Sequence, residues 1–542
     1  MRPSRPTSAL STHEVTNQPG PRPVDLWNDD AALRGAVAAN HGQIKPLSDL
    51  AARLSDRAMI EAGREANRHP PELRAFDRAG RRLDEVAFSP SYHRLMETGI
   101  GAGYSAIAWE GKAAGGHVTH AAMVYLMSQV EPGVCCPMTM TYAAVPALAA
   151  NPAVAKVWRP KLVSRRYDPA VAHVADKTGA TLGMAMTEKQ GGSDVRANTT
   201  TAQRDGDLYI LNGHKWFCSA PMSDGFLTLA QADEGLTCFL VPRWLDGRRN
   251  GIHLMRLKDK LGNRANASAE IEYHDAVAWR LGNEGAGVRT IIEMVHHTRL
   301  DTAMAPAGLM RAALAEAVWW AEGRSAFQKR LIDQPLMRAV LSELALDAEG
   351  ALALGLRVAR AFDSTASEAR AFARIAVALA KFLSNKRAPN AIYEAMEALG
   401  GMGYVEDTPL PMLYREAPLN SIWEGSGNVI CLDILRTLER DPAAAAALDA
   451  VLDAARGVHP AYDSALSDSR TRWPGLPPEA EARAFAERIA TLLTAATLAE
   501  TAPHDIAEAY AACRLDPQRG QITGTATGYD PAAILRRVSL AS

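Results

Sequence analysis

Residues 421–428 read Ser-Ile-Trp-Glu-Gly-Ser-Gly-Asn, a lone carboxylate set between an indole and a flexible Gly-Ser-Gly stretch. Such a carboxylate suits a buried general base. An apolar ring beside it and exclusion of water raise its pKa toward neutrality, where a group that abstracts a weakly acidic proton works best. The same run also reads as an ordinary loop leading into a helix, so Glu424 gains weight only with two further segments. Residues 184–194, Met-Ala-Met-Thr-Glu-Lys-Gln-Gly-Gly-Ser-Asp, place a polar loop after an apolar stretch. That loop offers open backbone N–H groups and hydroxyls to a phosphate or a flavin edge; a plain turn is the competing reading. It has neither the dinucleotide fingerprint nor the Walker spacing, so no Rossmann or P-loop site is indicated. Residues 213–219, Gly-His-Lys-Trp-Phe-Cys-Ser, read as an aromatic strand. Alternation sends Phe217 and Ser219 to one side, where a ring could stack on a planar cofactor while a hydroxyl bonds its edge; the competing reading is a core strand. His214 is one of 14 histidines, none spaced as a metal cluster, and reads as structural. No metal site is expected.

Three kinds of element must position these segments. Residues 1–45 form an arm in which Pro19, Pro21 and Pro23 oppose a helix and only 29–39 has helical character. From 46 to 182, runs such as 47–66 and 118–129 carry apolar residues at three- and four-residue spacing, predicting an α-helical domain. Between 183 and 290 come short β-rich runs at 208–211, 226–229, 237–241 and 269–273, separated by turn dipeptides, which predict a middle antiparallel β domain. Helical periodicity returns over 288–348, 351–362 and 368–399, as in a bundle domain spanning 291–440. A helical extension, 441–542, follows an alanine tract at 443–447. The fold class is therefore α+β, in the order α, β, α, with an added helical tail.

A chain of 542 residues is long enough for several cores. Its net charge of −2 leaves no overall basic field for nucleic acid or anionic membrane, so any such binding needs a local patch. The extension is acidic, with nine Arg, no Lys and thirteen Asp or Glu. Six irregularly spaced cysteines give neither a disulfide framework nor a zinc site. No secretory signal or stretch of ~20 apolar residues is evident, so a soluble, cytoplasmic protein with no membrane partner is expected.

Taken together, the three segments on this layout resemble the acyl-CoA dehydrogenase superfamily of flavoproteins across roughly residues 46–440. Within it the likeness is to the bacterial alkylation-response flavoproteins, carried by residues 186–194, 257–263, Tyr414-Arg415 and 421–428, with arm and extension included. The resemblance implies FAD as cofactor. Its binding residues would be Met184, Met186, Thr187, Gly192 and Ser193 of the loop, Phe217, Cys218 and Ser219 of the strand, and Ile422, Trp423, Gly425, Ser426, Gly427 and Asn428 around the base. Glu424 would be the catalytic base for removing the α-proton of an acyl-CoA thioester. The residue before Arg299 is Thr298, so the family's alternative base position is empty, and Arg299 would orient Glu424 or balance its charge. Arg324 and Phe327 match a helical Arg-x-x-Phe-Gly motif that reaches the FAD of a neighbouring subunit, although Gln328 replaces the Gly and Arg330 the usual Pro. Gly400, Gly401 and Gly403 before Tyr404 resemble a turn supporting a neighbour's FAD, with Glu397 where a Gln is usual. A homotetramer built as a dimer of dimers is implied, with acyl-CoA and double-stranded DNA as partners. Two functions follow: an alkylation-response flavoprotein that binds duplex DNA and has feeble dehydrogenase activity, or an active acyl-CoA dehydrogenase or oxidase with no DNA role.

Overall fold

The computed structural model describes residues 10–111 and 113–540. These fall into two compact units whose segments interleave along the chain: residues 10–61, 117–130 and 302–540 in a helical unit, and residues 62–111, 113–116 and 131–301 in a unit holding the main sheet.

In the second unit the strands are β1 (Glu72–Phe76), β2 (Arg82–Ala87), β3 (Leu182–Ala185), β4 (Thr201–Asp205), β5 (Leu208–Ser219), β6 (Gly225–Ala232), β7 (Gly235–Pro242), β8 (Trp244–Leu245), β9 (Arg248–Arg249), β10 (Ile252–Leu257) and β11 (Ser268–Leu281). Five of them close a ring: β11 pairs β5, β5 pairs β4, β4 meets β6 at Thr201 and Gln231, β6 pairs β7, and β7 returns to β11. β10 adds to β11, and β3 to β6. Closure removes most free edges. The pairing is antiparallel except at β3–β6 and β4–β6, which run parallel. Every second residue of these strands turns inward, so Tyr209, Leu211, Phe226, Phe239, Val241 and Ile271 fill one apolar core. The β1–β2 hairpin lies in the stretch expected to be wholly helical. Its chain reverses at Asp77, whose carboxylate accepts from the backbone N–H of Ala79 and Arg81.

Long helices dominate the first unit: the later part of Gly287–Gly323, then Pro335–Phe362 and Ser367–Ala398, followed by Gly427–Arg440 and the extension's Pro442–Ala454, Pro460–Arg472, Ala482–Thr501 and His504–Leu515. The helix expected to run unbroken through residue 348 stops at Gly323, and a two-strand hairpin, β12 (Ser325–Ala326) and β13 (Lys329–Arg330), intervenes before Pro335. The expected run at 47–66 is likewise two helices, Ile44–Leu54 and Arg57–Arg68, parted at Ser55 and Asp56. The extension is tied to the bundle by buried charges. Arg514 meets Glu343 at 2.8 Å and Asp347 at 2.6 Å, and Asp347 also meets Arg387 at 2.8 Å. Burial would raise the Asp347 carboxyl, but these guanidinium groups hold it below the usual carboxylate range. The arm is tied in the same way: the Asp30 carboxylate meets Arg311 at 3.1 Å and accepts from Tyr125 Oη at 2.6 Å.

Candidate functional site

The Gly-Gly-Ser-Asp loop leaves β3 and is fixed from below by one buried carboxylate. Glu188, fully buried, accepts from Lys215 Nζ at 2.8 Å, from the backbone N–H groups of Thr199 and Thr200 at 2.6 and 3.1 Å, and from both threonine hydroxyls at 3.0 and 2.6 Å. Burial pushes this carboxyl up, but the ammonium and four further donors outweigh it and bring it down to about 2. Lys215 donates its second bond to Leu229 O at 2.8 Å. Above this anchor, Asn198 Nδ2 donates to Met186 O at 3.0 Å, and Trp216 N–H donates to Thr187 O at 2.7 Å. The lip of the loop, Gly192 and Ser193, is exposed. A Cβ at Gly192 would fall inside contact distance of Thr187 Oγ1, so only glycine leaves that hydroxyl open.

On β5 simple alternation fails at one point. Cys218 faces Ala269 and Lys215 faces Ile271 on β11, so Trp216 and Phe217 together oppose Glu270 in a β-bulge. Lys215 and Cys218 therefore both point into the core, while Phe217 is 50 % exposed and Ser219 half-buried. Phe217 and Ser219 share the outer side as expected, and the bulge adds Trp216 to it. The expectation that Cys218 binds a cofactor is narrowed: its side chain lies in the apolar core, where burial pushes the thiol well up, leaving only its backbone for a ligand. Lys258 lies over this face, its Nζ 3.4 Å from the Trp216 ring centre, 4.7 Å from that of Phe217 and 2.6 Å from Glu270 Oε1. His214 accepts from Lys189 N–H at 3.1 Å, a structural role. Met184 is half-buried on β3, and Gly183 beside it packs under the Ser219 carbonyl. Arg299 is buried on the helix Gly287–Gly323.

Glu424 belongs to the helical unit, in the turn between the short 3₁₀ segment Leu419–Ser421 and the helix Gly427–Arg440. Its φ is +58°, a conformation that L-residues other than Asn and Asp rarely hold, and Gly425 follows at +101°. The turn is pinned on both sides: Trp423 Nε1 donates to Asn420 Oδ1 at 2.9 Å, and the buried Lys381 Nζ donates to Gly425 O at 2.8 Å. The expectation of a buried base is corrected, since Glu424 and Trp423 are half-buried and Ile422 is 64 % exposed. The turn ends a helix rather than running through the core, so one side of it meets solvent. Ser426, Gly427 and Asn428 open the following helix, and Asn428 Oδ1 accepts from Arg483 Nη1 at 2.9 Å.

Arg324 and Phe327 were expected on a helix and are not. Arg324 lies just past the helix end, and Phe327 with Gln328 forms the tip of the β12–β13 hairpin, at φ +53° and +65°. A two-residue hairpin loop with both φ positive is the type I′ turn, normally built from Asn-Gly. The short β pairing imposes this geometry against local preference, and it leaves Phe327 92 % exposed. Arg324 Nη1 donates to Asn17 O at 2.7 Å, and the Asn17 side chain brackets Ser325, so the N-terminal arm holds the hairpin. Tyr404, 82 % exposed, ends the short helix Gly401–Tyr404. Sequence reasoning passed over Glu188, Lys215, Lys258, Lys381, Lys386 and Arg483. Lys215 had a visible signal, a lysine at an inward position of a strand; the others become neighbours only through folding.

Comparison with known proteins matches this geometry. Residues 17–169 match the adaptive response protein AidB N-terminal domain, 183–276 the acyl-CoA dehydrogenase middle domain and 285–439 the acyl-CoA dehydrogenase C-terminal domain. The chain is 49 % identical over 438 residues to the putative acyl-CoA dehydrogenase AidB of Escherichia coli, covering 79 % of this chain and 81 % of that one. It is 33 % identical over 447 residues to acyl-CoA dehydrogenase family member 11 of Caenorhabditis elegans, covering 78 % and 72 %. Among solved structures, Caenorhabditis elegans ACDH-11 in complex with C11-CoA superposes with a TM-score of 0.84 at 27 % identity, over 94 % of this chain and 93 % of that one. The chain belongs to the acyl-CoA dehydrogenase family, as an AidB-like member.

Proposed function

We propose that the chain is an FAD flavoprotein that takes the α-proton of an acyl-CoA thioester with Glu424. The observation that carries this reading is the backbone of Glu424 itself. A glutamate held at φ +58° between two pinned flanks is strain kept at one carboxylate, and such strain concentrates where a side chain must be aimed. The residues of the β unit fit FAD: an aromatic ring and a hydroxyl, Phe217 and Ser219, face outward together, and Gly192 leaves Thr187 Oγ1 open beside Ser193. When bound, FAD supplies the acceptor for the hydride that leaves the β-carbon. Glu424 holds the α-proton on its carboxylate, and Lys381, through Gly425 O, keeps the turn that aims it. Phe327, Leu336 and Tyr404, each more than 80 % exposed, support burial against further copies in a homotetramer, a dimer of dimers. Among the described residues no helix is long and apolar enough to cross a membrane.

A second reading, a role in the alkylation response with duplex DNA binding and feeble dehydrogenase activity, is the one implied by the resemblance to the bacterial alkylation-response flavoproteins, and the match of residues 17–169 to the adaptive response protein AidB N-terminal domain favours only its adaptive-response part. Charge placement weighs against the extension as the DNA surface. Arg456, Arg470, Arg472, Arg514, Arg519 and Arg537 are all in ion pairs within the chain, and phosphate binding needs cations free to neutralise it. The deciding experiment pairs an absorption spectrum and anaerobic acyl-CoA titration with a salt series of duplex binding on the same preparation. Flavin bleaching without duplex binding supports the enzyme; tight, salt-sensitive binding without bleaching overturns it in favour of the second reading.

A further inference from the structure

Lys258 follows β10, where its N–H donates to Ser268 O at 2.8 Å, and its side chain is only 14 % exposed. A lysine ordinarily leaves its ammonium in water. Here the Trp216 and Phe217 rings, 3.4 and 4.7 Å from Nζ, and one oxygen of Glu270 take much of the place of water. That carboxylate does not cancel the charge. Glu270 Oε1 accepts from Lys258 Nζ and from Arg256 Nε, both at 2.6 Å, so one negative charge is shared between two positive ones. Lys189 brings a third cation to the same indole, its Nζ 5.3 Å from the ring centre. Arg256 is 65 % exposed and Lys189 is exposed as well, so solvent screens both. The Lys258 charge is the one withheld from water, at the face of the two rings.

Phe217 is the ring proposed above to meet the flavin, with Ser219 at its side. A flavin that accepts a hydride gains two electrons and one proton, and carries one more negative charge than before. A cation fixed beside it therefore stabilises the reduced form over the oxidised form, which is a rise in reduction potential. We propose that Lys258 tunes the cofactor: its ammonium, held over the Trp216 and Phe217 rings by Glu270, favours reduced over oxidised flavin. This rests on the reading of the chain as an FAD flavoprotein with Phe217 against the cofactor. It adds to that reading a residue that sets how readily the hydride is accepted.

The test is the reduction potential of FAD-loaded protein, measured anaerobically by equilibration with a reference dye, for wild type, Lys258→Met, Lys258→Arg and Glu270→Gln. In Lys258→Met the affinity for reduced relative to oxidised FAD should fall about tenfold, a drop of about 30 mV for a two-electron couple. Lys258→Arg keeps the charge and should recover most of that shift. Glu270→Gln removes the counter-charge and should move the potential upward. A lysine that merely held the two rings in place would affect both redox forms alike: FAD affinity, read by fluorescence titration of the apoprotein, would change and the potential would not. A wild-type potential in Lys258→Met, in protein whose circular dichroism matches wild type, overturns the proposal, and so does an equal drop in Lys258→Arg. Should Lys258→Met fail to fold, Glu270→Gln decides: a higher potential supports the proposal, and an unchanged or lower one overturns it. Wild-type protein that takes up no FAD overturns the proposed function and this proposal with it, whereas FAD-loaded variants with unmoved potentials overturn this proposal alone.

Discussion

Replacing Lys215 by Met removes the counter-ion of a carboxylate that cannot reach water. Glu188 is fully buried, and of its donors only the threonine N–H and hydroxyl groups would remain. In the intact protein its carboxyl stands at about 2 rather than 4.5. A depression of that size corresponds to about 3 kcal/mol of stability, fully present above the unfolded-state pKa and lost as pH falls through the folded one. Stability should therefore decline between pH 4.5 and about 2 in wild type. In Lys215→Met the desolvation that already pushes the carboxyl upward is less opposed, so its pKa rises and that window shifts toward neutral pH. Breaking a buried pair from one side costs about 3–5 kcal/mol, whereas removing both partners costs less. Urea unfolding followed by circular dichroism, on Lys215→Met, Glu188→Gln and the double variant at pH 7, measures both quantities. Loss of about 3 kcal/mol in Lys215→Met, with the double variant recovering about 1 kcal/mol or more, is the expected pattern. A single-variant loss below about 1 kcal/mol, or strict additivity in the double variant, would refute the argument that this pair anchors the loop.

Three further predictions follow from backbone geometry. Glu424→Gly should raise stability by about 1 kcal/mol, because glycine holds φ +58° without cost, while abolishing acyl-CoA-dependent flavin reduction; urea midpoints and bleaching read the two effects on one sample. Gly192→Ala should displace Thr187 and weaken FAD binding at least several-fold, with little change in urea midpoint because the site is exposed; fluorescence titration of the apoprotein checks it. Gln328→Gly should stabilise the β12–β13 hairpin by about 0.5–1 kcal/mol, as glycine suits the second position of a type I′ turn; urea unfolding of the two proteins would show the difference.

Periodicity and turn chemistry carried much of the fold, because burial demands a regular spacing of apolar residues. The strands at 208–211, 226–229, 237–241 and 269–273 all appear within longer strands, and the helix expected at 118–129 is Gly116–Ser128. Ring closure was not legible, because β4 and β6 meet through a single residue pair that no local pattern announces. The hairpin at 325–330 was hidden for a different reason: Phe-Gln is a poor type I′ sequence, and the turn is sustained by pairing and by Asn17, some 300 residues away in the chain. The aromatic strand showed its outward residues, but the bulge that places Trp216 beside Phe217 depends on register with Glu270. Glu424 was legible as a residue and not as a conformation. Its positive φ comes from contacts with Lys381 and Asn420 that lie outside the eight-residue run.

The most direct test of Glu424 as the base is a stopped-flow comparison, under anaerobic conditions, of flavin reduction by an acyl-CoA in wild type and in Glu424→Gln. The amide keeps the side chain's size but cannot accept the α-proton. If the account is right, wild type bleaches and Glu424→Gln, still yellow and folded, is slower by at least about a thousandfold. Bleaching at an unchanged rate in the variant would contradict it and remove Glu424 from the chemistry.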